Sequence, residues 1–324
     1  MNEASLSHPE ENRSVAGFTF WTPPEAYVLR VGPEQRPVPL PRIPLPLWRA
    51  DYVNGTPADD AIGQGLYDYL RRLPGAANAA RYAEILKEAF PHFLTDLAAQ
   101  IIMINEKEVD APFLQRKIVG LRILLLLEPD NAGLHYLLGE SCREIGLMFS
   151  ECAHSRQHFL TAMQALQRSL DLRPENPAAL NQLAQLDFWF ADYPAALRRW
   201  RALSGMIAHP ATRELLAAQI ARLEEGAVPD HPLVEDLEAI GAAMQLLAAG
   251  DAAQALVLLE RLEEEGSAVA ELPNPEFFHL LAVCRERTGD VAGAFAAFAR
   301  ALSLDATYVP ALQGRDRLAE RSSS

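Results

Sequence analysis

The sequence predicts an all-α fold: a superhelical solenoid of α-α helix hairpins, preceded by an irregular proline-rich N-terminal arm. Three observations predict it. From Asp59 onward, apolar residues recur at three- and four-residue spacings in successive segments of helix length, the pattern of helices that bury one face. Small residues stand at matching offsets in three of these segments, as Ala184 and Ala196, Ala243 and Ala255, and Ala282 and Ala294. Proline recurs at segment ends, at Pro129, Pro174, Pro210 and Pro275. One such hairpin has too little interior to bury its own face, so neighbours must stack on each other.

Composition sets outer limits. The chain has 324 residues, 49% of them hydrophobic, enough for a long array and too apolar for a disordered chain. A net charge of −14 opposes nucleic-acid binding, which needs a basic surface. Of the 29 basic residues 26 are Arg, a bias read as genomic base composition. The longest notable apolar run is Ile123–Leu127, so no membrane insertion is expected. Met1–Ser14 is polar, with no apolar segment of a secretory signal. Cys142, Cys152 and Cys284 are odd in number and far apart, which suits reduced thiols in a cytoplasmic compartment.

Residues 1–57 form the arm. Phe18–Thr22 and Ala26–Val31 are β-prone, with Pro23-Pro24-Glu25 between them, and predict a short hairpin of these two segments. Gly32–Leu47 carries six prolines and is therefore extended. Its interleaved Val38, Leu40, Ile43, Leu45 and Leu47 favour a strap packed on its own helices over a ligand for another protein's aromatic groove. Residues 58–97 supply two capping helices. The first carries Ile62, Leu66, Tyr69, Leu70 and Leu73, stopped by Pro74-Gly75; the second carries Tyr82, Ile85, Leu86 and Phe90.

Repeating hairpins are expected over 98–306, in the segments 98–131, 132–176, 177–210, 236–269 and 275–306. A single helix is inserted at 211–225, with Leu215, Leu216, Ile220 and Leu223 apolar. In the first copy Lys117 stands where a small residue is usual. The second copy is longer than its neighbours, and the surplus predicts longer helices around Phe149–Phe159 that project beyond the others. Residues 307–324 form a polar capping helix and tail.

Pro275–Asp305 shows the unit best. Phe278, Leu281 and Ala282 share one face, Gly289-Asp290 marks the corner, and Ala294, Phe298 and Ala301 share the next face. Leu180, Leu183, Ala184, Ala196, Trp200 and Leu203 keep the same spacings, with Ala191-Asp192-Tyr193 at the corner in place of Gly. This resembles the tetratricopeptide repeat, a helix–turn–helix unit of about 34 residues. The resemblance implies a concave groove, lined by the first helix of each hairpin, that holds a partner protein or an extended peptide. It implies a non-catalytic scaffold or adaptor, with no cofactor.

Carried onto this sequence, the groove candidates are Ile102 and Glu106; Tyr136, Glu140 and Arg143; Asn181, Gln185, Phe188 and Trp189; and His279, Glu286 and Arg287. Asn181 and Gln185 stand one turn apart and offer a peptide amide both a donor and an acceptor. Phe188 and Trp189 offer apolar anchor area or belong to the core. The several Lys or Arg of a carboxylate clamp are absent.

A second reading is self-assembly into a homo-oligomer, through the arm or the solenoid ends. No glycine-rich phosphate loop occurs, since Gly63-Gln64-Gly65 lacks a third glycine and a β–α setting. A third reading places a metal on Glu151, His154 and His158, which share a stripe if the segment is helical. A solvated polar stripe is the preferred account of those residues.

Overall fold

A computed structural model describes residues 15–52, 54–107 and 109–322. Fifteen α-helices and four short strands are formed among the described residues, so the all-α expectation holds. These residues fall into two compact units. One comprises residues up to 109 together with 116–130, and the other comprises 110–115 together with residues from 131 onward.

The first unit joins the arm to helices α1 (Asp59–Arg72), α2 (Ala79–Ala89), α3 (Pro91–Asn105) and most of α4 (Ala111–Leu127). The repeat boundary drawn at residue 98 lies inside α3, because Pro91 at its first turn needs no N–H partner and starts the helix early. Four strands lie in the arm: β1 (Phe18–Trp21), β2 (Val28–Val31), β3 (Arg36–Pro39) and β4 (Leu45–Trp48).

The hairpin expected between Phe18–Thr22 and Ala26–Val31 is not the one formed. β2 pairs with β3, and β1 pairs with β4, both antiparallel. The turn Gly32–Gln35 decides this. Gly32 and Gln35 both have positive φ, and the Gln35 N–H donates to the Gly32 carbonyl at 3.1 Å, which closes a tight reversal that Pro23-Pro24 does not offer.

The proline-rich strap seats on α1 and α2. Leu45 and Leu47 are fully buried. The Trp48 indole N–H donates to Asp68 at 2.9 Å, and the Tyr82 hydroxyl donates to the Pro44 carbonyl at 2.6 Å. Phe18 stacks on Trp48, and the Arg72 guanidinium lies 4.6 Å from the Trp48 ring centre. Gly65 is where strap and helix touch: a Cβ there would stand 3.0 Å from the Leu47 Cα, with the Pro46 carbonyl nearer still. Lys117, the residue at odds with the repeat pattern, is buried in this unit and donates to the Asn105 side chain at 2.7 Å.

The second unit holds the remaining helices: α5 (Ala132–Leu147), α6 (Ser155–Leu172), α7 (Pro177–Trp189), α8 (Tyr193–Ser204), α9 (Pro210–Glu224), α10 (Leu233–Ala248), α11 (Ala252–Glu265), α12 (Ser267–Glu271), α13 (Pro275–Thr288), α14 (Val291–Leu304) and α15 (Val309–Ser322). Three hairpins share one corner. The N–H groups of Asp192, Asp251 and Asp290 each reach back to the carbonyl five residues earlier, at 2.8, 2.9 and 2.9 Å. Each of these Asp side chains then caps the next helix, on the N–H of Ala195, Gln254 and Gly293. This is a left-handed helix stop followed directly by an N-cap.

The residue in the left-handed conformation is Gly250 and Gly289 in two corners and Ala191, with φ 60°, in the third. The corner therefore keeps its shape where the sequence lacks glycine, at a cost of about 1 kcal/mol. Asn-Pro pairs start α7 and α13, with Asn176 and Asn274 accepting from the first-turn N–H of Ala179 and Glu276. The small residues Ala184, Ala196, Ala243, Ala255, Ala282 and Ala294 are all fully buried, and so are Leu259 and Phe298. Trp200, at the matching position of its hairpin, is 4% exposed.

The lengthened second copy is not a projection. Part of its surplus does lengthen the helices, with 16 residues in α5 and 18 in α6 against 13 in α7 and 12 in α8. The rest forms a 3-10 turn at Phe149–His154 between α5 and α6, and α10 packs on that turn. Cys152 is buried there, and a Cβ on Gly241 of α10 would stand 2.5 Å from the Ala153 Cα. The fourth hairpin thus docks on the second copy and on α13, while α9 packs on α8.

Candidate functional site

The second unit carries an open cleft of about 780 Å³. Its floor is α7, which contributes Asn181, Gln185, Phe188 and Trp189. Arg143 of α5 stands at one side, Leu215 and Leu216 of α9 at another, and Glu271 and Leu272 close the far edge. The Asn176 cap and Pro177 fix where α7 begins, and the 3.6-residue period then turns positions 181, 185 and 188 to the same side.

Each polar group there has a definite state. The Asn181 carbonyl oxygen accepts from the Trp200 indole N–H at 3.1 Å, leaving its NH2 without a partner among the described residues. Gln185 makes no side-chain hydrogen bond among the described residues. The Arg143 Nε is buried and unpartnered, and its guanidinium lies 5.9 Å from the Trp189 ring centre. No ion pair holds Arg143 among the described residues. Burial pulls its pKa below the ordinary arginine value, against the opposing pull of Glu140, Tyr136 and Glu144. A guanidinium kept charged without a bonded acceptor is a site for an acceptor from outside.

Phe188 is 4% exposed and Trp189 is 8% exposed. Both are core residues whose outer edges form cleft wall. Trp189 packs on Phe159, and Phe188 packs on Tyr193 and Trp200. Tyr136 and Glu140 lie beside the cleft and do not line it. The Tyr136 hydroxyl donates to Glu140 at 2.9 Å and accepts from the Gln182 amide at 3.1 Å. Burial, with Glu140 adding to it, pushes that phenol up to about 12.

His279 and Arg287 lie elsewhere, on α13. His279 is half-buried between the rings of Phe298 and Tyr308, each 5.8 Å away, and burial lowers its pKa. Arg287 is exposed and donates to the Leu247 carbonyl at 3.4 Å. Ile102 and Glu106 are exposed on the first unit.

Glu286 is engaged by α15. It accepts from Arg317 at 2.5 and 3.2 Å and from Arg321 at 2.8 Å. The Arg317 bond holds its carboxyl below the ordinary glutamate value. A depressed acid contributes stability above its unfolded value and loses it as pH falls through its folded value. Glu286→Gln is therefore expected to lower the melting temperature equally at pH 7 and pH 5, and by less below about pH 4. The arginines are substantially exposed, so the effect is less than about 1 kcal/mol. Melts of both proteins across that range test it, and a gap that stays constant down to pH 3 would show that this ion pair contributes nothing.

The residues read as a metal candidate do not share one α-helix, yet the 3-10 turn keeps Glu151 beside both histidines. Glu151 and His154 lie in the turn and His158 in α6. Glu151 Oε2 lies 4.0 Å from His154 Nδ1 and 3.5 Å from His158 Nε2. Burial pushes the Cys152 and Cys284 thiols up to about 12 and about 11, so neither is a nucleophile near neutral pH.

Two parts of the cleft escaped the sequence reading. Leu215, counted with the apolar face of its helix, is 74% exposed, while Leu216 and Leu223 are buried. Glu271 is paired with Arg222 of α9 across the cleft edge. The one available signal was that Thr212–Glu225 broke the repeat period, which marks a place where regular stacking stops.

No family model matches the sequence, and no curated protein matches it. Among solved structures the chain is similar to the crystal structure of the P58(IPK) TPR domain. That likeness has 15% identity and a TM-score of 0.33, and covers 82% of this chain and 69% of that one. It is also similar to a tetratricopeptide repeat protein from Parabacteroides merdae ATCC 43184. There the identity is 13% and the TM-score 0.27, over 80% of this chain and 91% of that one. Among the described residues no helix is long and apolar enough to cross a membrane. The shared corners, the Asp caps and the buried small residues make the hairpins at Asp192, Asp251 and Asp290 copies of one helix–turn–helix unit.

Proposed function

We propose that the cleft of the second unit holds an extended segment of a partner protein, and that the chain acts as a non-catalytic adaptor. One observation supports this above the rest. Arg143, Asn181, Gln185, Phe188 and Trp189 line a single open cleft in which the Arg143 Nε is buried and has no bonded acceptor among the described residues. Aromatic edges supply anchor area, and the free amide groups of Asn181 and Gln185 suit a peptide backbone. A homo-oligomer through arm exchange has less support, since the strap is already seated on α1 and α2.

Asn181→Ala is a poor probe, because it also strips the acceptor from the Trp200 indole. Arg143→Gln and Gln185→Ala are cleaner. A photo-crosslinking residue at Leu215, inside the cleft, is expected to capture a protein in the producing cells. The same residue at Val257, which is exposed and outside the cleft lining, is expected to capture none. Arg143→Gln with Gln185→Ala is expected to weaken binding of the captured partner by about 30-fold, the loss of one interface hot spot of about 2 kcal/mol. Equal capture at both positions, or capture unaffected by the double variant, would remove the cleft assignment.

A further inference from the structure

We propose that His231, Asp236 and Glu265 form a binding site for a divalent transition-metal ion, zinc foremost, that clips the loop between α9 and α10 to the end of α11. Their ligand atoms all lie within 4.8 Å of one another. His231 Nε2 is 2.5 Å from Asp236 Oδ1 and 4.0 Å from Glu265 Oε2. Bond lengths of about 2.0–2.2 Å to zinc place tetrahedral ligands about 3.3 Å apart. The set brackets that spacing, and His231 and Asp236 need only part from hydrogen-bond distance as a proton is exchanged for the ion.

The three residues come from separate elements, and the least regular of these is held in place. Arg222 Nε donates to the Ala227 carbonyl at 2.8 Å, and the Tyr193 hydroxyl donates to the Pro229 carbonyl at 2.7 Å. Pro232 follows His231 directly and restricts its backbone. Asp236 is in the first turn of α10, and Glu265 ends α11.

Charge points the same way. The Asp236 side chain is only 3% exposed, and a buried carboxylate needs a cation beside it. Two carboxylates against one imidazolium leave a negative excess, to which Glu235 adds. Arg261, 3.8 Å from Glu265, offsets part of it at the exposed end. A divalent ion on a neutral imidazole and two carboxylates balances the three ligands. One nitrogen and two oxygens suit zinc better than magnesium or calcium, which prefer all-oxygen sites. His231 and Glu265 are partly exposed, so water can enter and complete the coordination.

The test uses the full chain, stripped with chelator and dialysed against zinc chloride, with magnesium and calcium chloride as comparisons. The wild type is expected to take up one zinc per chain, and cobalt(II) in its place to give visible d–d absorption. Glu265→Gln changes an exposed residue and leaves the fold intact. It is expected to weaken zinc binding by at least about 10-fold, the lower end of what even an outer-shell loss costs. His231→Gln is expected to abolish both the uptake and the cobalt spectrum, with an apo circular-dichroism melt confirming a folded protein. The double variant His154→Gln, His158→Gln is expected to bind as the wild type does. Absence of stoichiometric zinc, undiminished binding by Glu265→Gln, or loss only in the His154/His158 variant would each overturn the site. None of these outcomes bears on the cleft.

Discussion

Phe298→Ala is expected to destabilise the C-terminal hairpins by about 3–5 kcal/mol, the range for deleting a buried aromatic ring from a packed interior. Phe298 is fully buried on α14. Its ring lies 5.8 Å from His279 of α13, and a Cβ on Gly314 of α15 would stand 2.8 Å from its Cε2. One side chain thus fills the space where three helices meet. Repeat hairpins draw stability from their neighbours, so the loss should fall locally. Amide hydrogen exchange is expected to lose protection first in α14 and α15, with α7 and α8 little changed. A loss below about 1 kcal/mol, or uniform loss of protection across the second unit, would show that α13–α15 do not form such a contact.

Gly241→Ala is expected to be destabilising by about 1–3 kcal/mol, although alanine is the better helix former by about 1 kcal/mol. The two effects oppose each other, and geometry decides the sign. A Cβ at position 241 would stand 2.5 Å from the Ala153 Cα and 2.9 Å from its Cβ. Backbone in a short 3-10 turn has no flexible end to move aside, so α10 must lift from the turn. For a unit of this size each kcal/mol lowers the melting temperature by about 2–4 °C. A thermal melt reads the difference. An unchanged or raised midpoint would mean that α10 is not seated on Phe149–His154.

The helix hairpins were legible from local chemistry. Gly250-Asp251 and Gly289-Asp290 write a left-handed stop and the next N-cap into adjacent residues, and Asn176-Pro177 and Asn274-Pro275 write the cap and first turn of α7 and α13. The third corner shows the limit. Ala191 carries no glycine signal, yet Asp192 and the small residues around it hold the same bend.

The cleft was partly legible. Spacing on α7 brought Asn181, Gln185, Phe188 and Trp189 to one side, and the same rule on α13 pointed to His279 and Arg287, which lie away from the cleft. Periodicity states which residues share a face and leaves open what that face meets. His231, Asp236 and Glu265 had no sequence signature, because they come from a loop and two helices whose meeting is set by packing.

By itself the sequence determined where helices start, stop and turn, because caps, corners and apolar stripes act within a few residues of chain. Only the tertiary structure decided that β1 pairs with β4, that part of the surplus of the second copy becomes a seat for α10, and that α9 leaves Leu215 open beside α7. The physical reason is that burial is non-directional. Many apolar faces satisfy one another about equally, and the choice among them is made by close backbone approach at positions such as Gly65 and Gly241.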